Sequence, residues 1–172
     1  MTIPTPKNVR LEALREANFD IASNLGTTIW KAHYSKIISM GQIDYMLAVR
    51  FASDNLRRYL NSTKLWFEIL WQGERPIGYC SYGLTVSPGE MKLEQIYLLE
   101  EFRGNGFGVF MLLHIESEAH KKNIQTLILQ VNKRNESSIA FYRKAGYQIR
   151  EEAVFDIGNG YFMDDYVMEK VI

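Results

Sequence analysis

Six consecutive residues, Arg103-Gly104-Asn105-Gly106-Phe107-Gly108, carry the clearest chemical signal in the chain. They fall between a run that reads as a buried strand and a run that reads as a helix, so the glycines leave main-chain amides uncovered at a helix mouth. Partial positive charge from the helix dipole gathers at the same place, and such a loop binds an anion. Arg103 adds a full charge with forked donors, which favours a pyrophosphate over a single carboxylate. Two other anion motifs fail on spacing. A triphosphate cradle needs Gly-Lys followed by Ser or Thr, which is lacking, and a dinucleotide fingerprint needs a third glycine where Met111 stands and a strand that opens the domain. Elsewhere, Cys80 reads as a small buried hydrophobe without the partners of a nucleophile, and His114 and His120 read as helix surface or core residues.

The elements that must hold this loop can be read from periodicity. Residues 9–13 alternate weakly and fit a strand or the start of a helix. From Asp20 an apolar stripe through Ile21, Leu25, Ile29, Ala32 and Ile37 predicts a helix, with Gly41 as its breaker. Two shorter helices are expected over 42–50 and 53–61, the second capped by Ser53-Asp54-Asn55. Residues 65–71 and 77–86 form a hairpin about Gly73 and Pro76. Residues 90–99 predict a central strand with Met91, Leu93, Gln95, Tyr97 and Leu99 on one face and Lys92, Glu94, Ile96 and Leu98 on the other. A helix ends near Lys121-Lys122-Asn123, a strand covers 126–131, and a helix covers 135–145 with Gly146 as its left-handed stop. Two last strands, 147–155 and 161–169, turn about Gly158-Asn159-Gly160. This is an α/β pattern with a mixed sheet.

Composition bounds the partners. The 172 residues are 47% apolar and 23% charged, the make-up of a folded globular domain. Twenty basic and twenty acidic residues give no net charge, which argues against a broad surface for nucleic acid. One cysteine excludes an intrachain disulfide and a cysteine-based metal cluster, and no metal is expected. Residues 1–10 lack the apolar core of a signal peptide and no run reaches membrane-span length, so the expected location is cytoplasmic, without an anchor.

With their surroundings, these residues resemble the GNAT acetyltransferase superfamily, whose acetyl-coenzyme A motif runs Arg or Gln, two residues, Gly, one residue, Gly or Ala, here Arg103, Gly106 and Gly108. The family places a strand before that loop, as in Leu93-Glu94-Gln95-Ile96-Tyr97-Leu98. It places a second block after the next strand, which is similar to Asn132-Lys133-Arg134-Asn135-Glu136-Ser137-Ser138-Ile139-Ala140-Phe141-Tyr142-Arg143-Lys144-Ala145-Gly146-Tyr147. The resemblance covers nearly the whole chain and implies one domain over 1–172, with a mixed, mostly antiparallel central sheet flanked by helices. Residues 30–34 and 42–47 and the ending 164–170 are similar to the PaiA-like branch, whose named member is a spermidine/spermine N-acetyltransferase.

The resemblance also implies roles. Acetyl-CoA would be the cosubstrate, its pyrophosphate held by the amides of Arg103, Gly104, Asn105, Gly106, Phe107, Gly108 and Val109. Ile96, Tyr97 and Leu98 would bond the pantetheine arm through their main chain, with the Leu98 amide as oxyanion donor. Asn135 matches an amide that contacts the coenzyme arm and also suits a helix cap. Tyr142 matches the general acid, since a phenol with a reference pKa of ~10 is protonated at neutral pH and can donate to a thiolate. Glu94 is the candidate general base, through a water, with a salt bridge to a nearby cation as the alternative. His33 and Tyr34 lie on a helix that walls the acceptor site in this family, or form a packed aromatic face. The implied reaction is direct attack by a primary amine in a ternary complex. Polyamines and peptide amino termini are among the acceptors, and Asp44, Glu94, Asp164 and Asp165 are the acids available to a polyamine. Nucleic acid and membrane partners are not expected, and a monomer or homodimer is. The competing reading is an acetyl-CoA sensor with little turnover, against which Asn135 and Tyr142 argue.

Overall fold

Runs rich in branched and aromatic residues, separated by Gly, Pro and Asn turns, build one seven-stranded sheet. In the computed structural model, which describes residues 8–172, the strands are β1 (Val9–Ala13), β2 (Leu65–Gln72), β3 (Arg75–Leu84), β4 (Glu90–Leu98), β5 (Thr126–Asn132), β6 (Gln148–Gly158) and β7 (Tyr161–Val171). Their order is β1-β2-β3-β4-β5-β7-β6, and every neighbouring pair is antiparallel except β4 and β5. The proline-containing start, residues 1–7, lies outside the described residues. Residues 9–13 form a strand because each pairs with a residue of β2.

Helices cover both faces. The stripe on α1 (Phe19–Tyr34) buries Ala22, Leu25 and Ile29 against Phe67, Ile69 and Tyr79, with α2 (Met40–Arg50) and α3 (Ser53–Arg57) beside it. On the opposite face α4 (Phe107–Lys121) buries Met111, Leu112, Ile115 and Ala119 against Leu70, Leu93 and Leu127, and α5 (Glu136–Lys144) adds Ile139 and Tyr142. Each fully buried Leu or Ile stabilises the fold by roughly 1.5–3 kcal/mol. The parallel β4–β5 pair requires a crossover, and α4 supplies it.

Three expectations need correction. Gly41 does not end α1, which stops at Tyr34; Gly41 sits in the first turn of α2, where the Ser39 Oγ accepts the Gln42 N–H at 3.2 Å. The Ser53-Asp54-Asn55 cluster does not cap α3: the cap position is Ala52, the helix ends at Arg57 rather than 61, and the Asn55 side chain instead donates to the Arg50 carbonyl at 2.8 Å.

The third concerns β4. Opposite β3, Ser81 pairs with Gln95 but Tyr82 pairs with Leu93, so Glu94 is an extra residue, a β-bulge. One inserted residue inverts the alternation. Met91 and Leu93 pack toward α4, but beyond the bulge Ile96 and Leu98 take that face, while Tyr97 joins Tyr79 under α1. Simple alternation placed Tyr97 with Leu93, and the bulge separates them.

Candidate active site

The parallel pairing of β4 with β5 runs from Glu90–Thr126 to Leu93–Leu129 and stops at the bulge, whereas β5 continues to pair with β7 as far as Asn132–Asp165. The two central strands therefore part in mid-sheet. Leu99 donates its N–H to the Ile77 carbonyl of the β3 side at 2.9 Å, and since successive amides of a strand point to opposite edges, the N–H groups of Leu98 and Ile96 face the gap. Tyr97 turns its main chain toward β3 instead, which removes it from the set of main-chain contacts expected for a pantetheine arm.

A cavity of about 560 Å³ fills this gap and reaches the glycine loop. Glu94, Ile96, Tyr97 and Leu98 line it from β4, Gln130 and Val131 from β5, and Arg103, Gly104, Gly106, Gly108 and Val109 from the loop and first turn of α4. Gly104 and Gly106 adopt φ of 77° and 82°, the left-handed region in which other L-residues are strained. Among the described residues no side chain caps α4. Among the described residues no main-chain acceptor takes the amides of 104–109, as expected at a helix N-terminus open to an anion. The Arg103 N–H, by contrast, bonds the Glu100 carbonyl at 3.1 Å, so Arg103 offers its exposed guanidinium rather than its amide. Asn105 and Phe107, expected to act through their amides, turn their side chains away from the cavity. Phe107 is buried in the core under α4, and Asn105 folds back with Nδ2 on the carbonyls of Arg103 (3.2 Å) and Phe102 (3.5 Å).

The second block reaches the same cavity. Asn135, 3% exposed, caps α5 by accepting the Ser138 N–H at 3.3 Å and also lines the cavity, so both readings of it hold geometrically. Two turns on, Tyr142 lines the cavity, with no hydrogen bond tying its hydroxyl to another described residue. Burial, reinforced by Tyr34 and Tyr147, pushes its pKa well above 10, so the phenol keeps its proton throughout the physiological range.

Glu94 lines the cavity while its carboxylate pairs with the Lys92 ammonium at 3.2 Å; the base and salt-bridge readings meet on one side chain. Lys92 also donates to the Gln130 Oε1 at 3.1 Å. His33 and Tyr34 both line the cavity, Tyr34 sharing a 2.8 Å hydroxyl contact with Tyr97. Burial and then the Arg103 guanidinium lower the His33 imidazole below its usual 6.5, leaving it neutral at pH 7. Outside the site, Cys80 is fully buried with its thiol pushed up by burial, and His114 sits 2.8 Å from Glu68.

Beyond Tyr34, Tyr97, Glu94 and Gln130, which it shares with the main cavity, a smaller cavity of about 90 Å³ opens toward α2 and the β6–β7 hairpin. Of the four acids considered for an amine, Asp165 and Glu94 line it. Asp44 lies on the surface paired with Lys31 at 3.1 Å, and Asp164 pairs with Lys133 at 2.6 Å, exposed. Arg50 of α2 also lines the small cavity, a residue that the sequence did not single out. Asp165 alternates with buried Met163 and Val167 on β7, and an acid on the apolar face of a strand was the available signal. Its pKa is raised to about 6, by burial first and by Asp164 second.

A model of the acetyltransferase (GNAT) family matches residues 30–147, from the start of the aromatic wall on α1 to the residue after the α5 stop. The fold is similar to that of the PaiA N-acetyltransferase from Thermoplasma acidophilum, solved in complex with coenzyme A, at 20% identity, covering 95% of this chain and 99% of that one with a TM-score of 0.81. It is also similar to a variant of the spermidine N-acetyltransferase SpeG from Vibrio cholerae (15% identity, 96% and 95% covered, TM-score 0.71). The ribosomal-protein-S18-alanine N-acetyltransferase from Escherichia coli is comparably alike (15% identity, 95% and 94% covered, TM-score 0.70). Among the described residues no helix is long and apolar enough to cross a membrane. From residue 30 to residue 147, and in the architecture of the whole sheet, this chain belongs to the GNAT acetyltransferase family.

Proposed function

We propose that the protein transfers the acetyl group of acetyl-CoA to a small primary amine by direct attack in a ternary complex. The observation that carries this reading is the meeting, in one cavity at the parted strands, of the glycine loop with its uncovered amides, the open-edge N–H of Leu98 and the Tyr142 hydroxyl, which bonds no other described residue. When bound, acetyl-CoA supplies an acetyl thioester. The residues of the chain do the rest. Amides 104–109 and the Arg103 guanidinium hold negative charge at the helix mouth. Ile96 and Leu98 offer N–H groups on the edge where β5 would otherwise pair, and the Leu98 N–H suits an oxygen that gains charge during attack. Asn135 faces the same gap from the cap of α5. Tyr142 holds a proton at Oη for the departing thiolate, and Glu94, with or without a water, accepts a proton from the incoming ammonium.

Spermidine N-acetyltransferases stand among the proteins of similar fold beside one named for a ribosomal protein alanine, so the fold leaves the acceptor open between polyamine and amino terminus. Thiol release from acetyl-CoA, followed with a panel of amines, tests the proposal. Turnover with at least one amine is expected; tight coenzyme binding without turnover on any would favour a coenzyme sensor.

A further inference from the structure

Two charged groups without ion pairs among the described residues face the small cavity, and they have opposite signs. Asp165 is 5% exposed and its Oδ1 has no hydrogen-bond partner, although a buried carboxylate oxygen left unbonded is costly. Arg50 makes no ion pair among the described residues; its guanidinium is held 5.4 Å above the Trp30 ring, which leaves its N–H groups for another acceptor. The two do not meet, because no salt bridge joins them. The remaining charges on the wall, Lys92 and Glu94, neutralise each other at 3.2 Å.

On the acetyltransferase reading above, we propose that this cavity is the acceptor subsite and that it takes a small zwitterion, an amine carrying a carboxylate a few atoms away, with its ammonium at Asp165 and its carboxylate at Arg50. The size agrees. About 90 Å³ is room for about three waters at liquid density, hence for a compact acceptor, and Trp30, Phe155 and Met163 close it with apolar surface. The position agrees as well, since the wall shared with the coenzyme cavity, Tyr34, Glu94, Tyr97 and Gln130, is where an amine would pass to the acetyl group. A polyamine fits less well. Two carboxylates are matched by two cations on the wall, so a polycation would meet Arg50 and Lys92 with no surplus negative charge to hold it. The raised pKa of Asp165 suits a carboxylate awaiting an ammonium, whose arrival would draw it back down.

The test compares glycine, β-alanine and 4-aminobutyrate with their acid-free counterparts methylamine, ethylamine and propylamine, and with spermidine. Turnover is read by thiol release, and binding to the coenzyme A-loaded protein by calorimetry. At least one acid-bearing amine should exceed its counterpart about tenfold or more in kcat/KM, as expected for a hydrogen-bonded charge contact. Arg50→Gln should collapse that ratio toward one, and Asp165→Asn should weaken binding of the acid-bearing amine about tenfold or more while coenzyme A affinity, measured alongside, reports that the fold is intact. Spermidine or the alkyl amines equalling the acid-bearing ones, or a ratio that survives Arg50→Gln, would overturn the proposal. Acid-bearing amines that bind in an Arg50-dependent way without turnover would uphold the subsite and count against acetyl transfer. If none binds and none reacts, the subsite is refuted.

Discussion

The cavity proposed for the coenzyme and the one proposed for the acceptor differ in where their residues come from along the chain. The coenzyme cavity is built chiefly from two nearly continuous blocks, 93–111 and 130–142, each a strand followed by a loop and a helix. The smaller cavity is lined by two or three residues from each of six elements scattered along the chain, among them Trp30, Arg50, Lys92, Asn132, Phe155 and Asp165. As proposed, the first half would bind with main-chain amides and so tolerate side-chain change wherever the backbone conformation is kept, and the second would work through side-chain charge, which one substitution can reverse. A scaffold of this kind can keep its cofactor while its acceptor changes.

Substitutions on either side sharpen that contrast. Tyr142→Phe removes one oxygen from a packed ring and should lower kcat about a hundredfold, the scale of a lost general acid, with coenzyme affinity unchanged. Steady-state kinetics and calorimetry check this, and an unaltered kcat would take Tyr142 out of the chemistry. Next comes Asp165→Asn, read as stability. The folded pKa of about 6 lies above the ordinary 3.8, so Asp165 is harmless below pH 4 and stability is lost as pH rises through 6 and the buried group must ionise. Asp164 deepens that loss, while Lys92, Arg50 and Lys133 offset part of it. The asparagine variant should therefore gain on the wild type between pH 4 and pH 7.5 by on the order of 2 to 3 kcal/mol in urea unfolding. A gap that does not change with pH would show that Asp165 is not buried in solution.

Gly106→Val tests the coenzyme half. A left-handed φ of 82° disfavours valine by about 1–2 kcal/mol, so coenzyme A should bind roughly 5- to 30-fold more weakly in calorimetry while the acceptor preference persists. An altered preference would mean that the halves are not separable. The smallest effect is expected for Asp44→Asn, whose exposed pair with Lys31 should contribute under about 1 kcal/mol and leave the KM of every amine unchanged.

The residues alone determined the glycine loop and the block around Asn135 and Tyr142 because their structural signals are local. Glycines that permit positive φ, an Asn that caps a helix and a Tyr two turns later act within a few residues, and the hairpin turns at Gly73 and Asn159-Gly160 are equally local. Even there, tertiary structure altered the detail: the bulge at Glu94 turned Tyr97 away from the gap, and the Glu100 carbonyl took the Arg103 amide. A bulge leaves no mark in apolar alternation, because it depends on how β3 pairs opposite. The proposed acceptor half was decided mainly by packing. Alternation with Met163 and Val167 hints that Asp165 faces inward and Asp164 outward, but only the fold, by burying that acid with no ion-pair partner among the described residues across a cavity from Arg50, set its chemistry apart from that of Asp164 and Asp44.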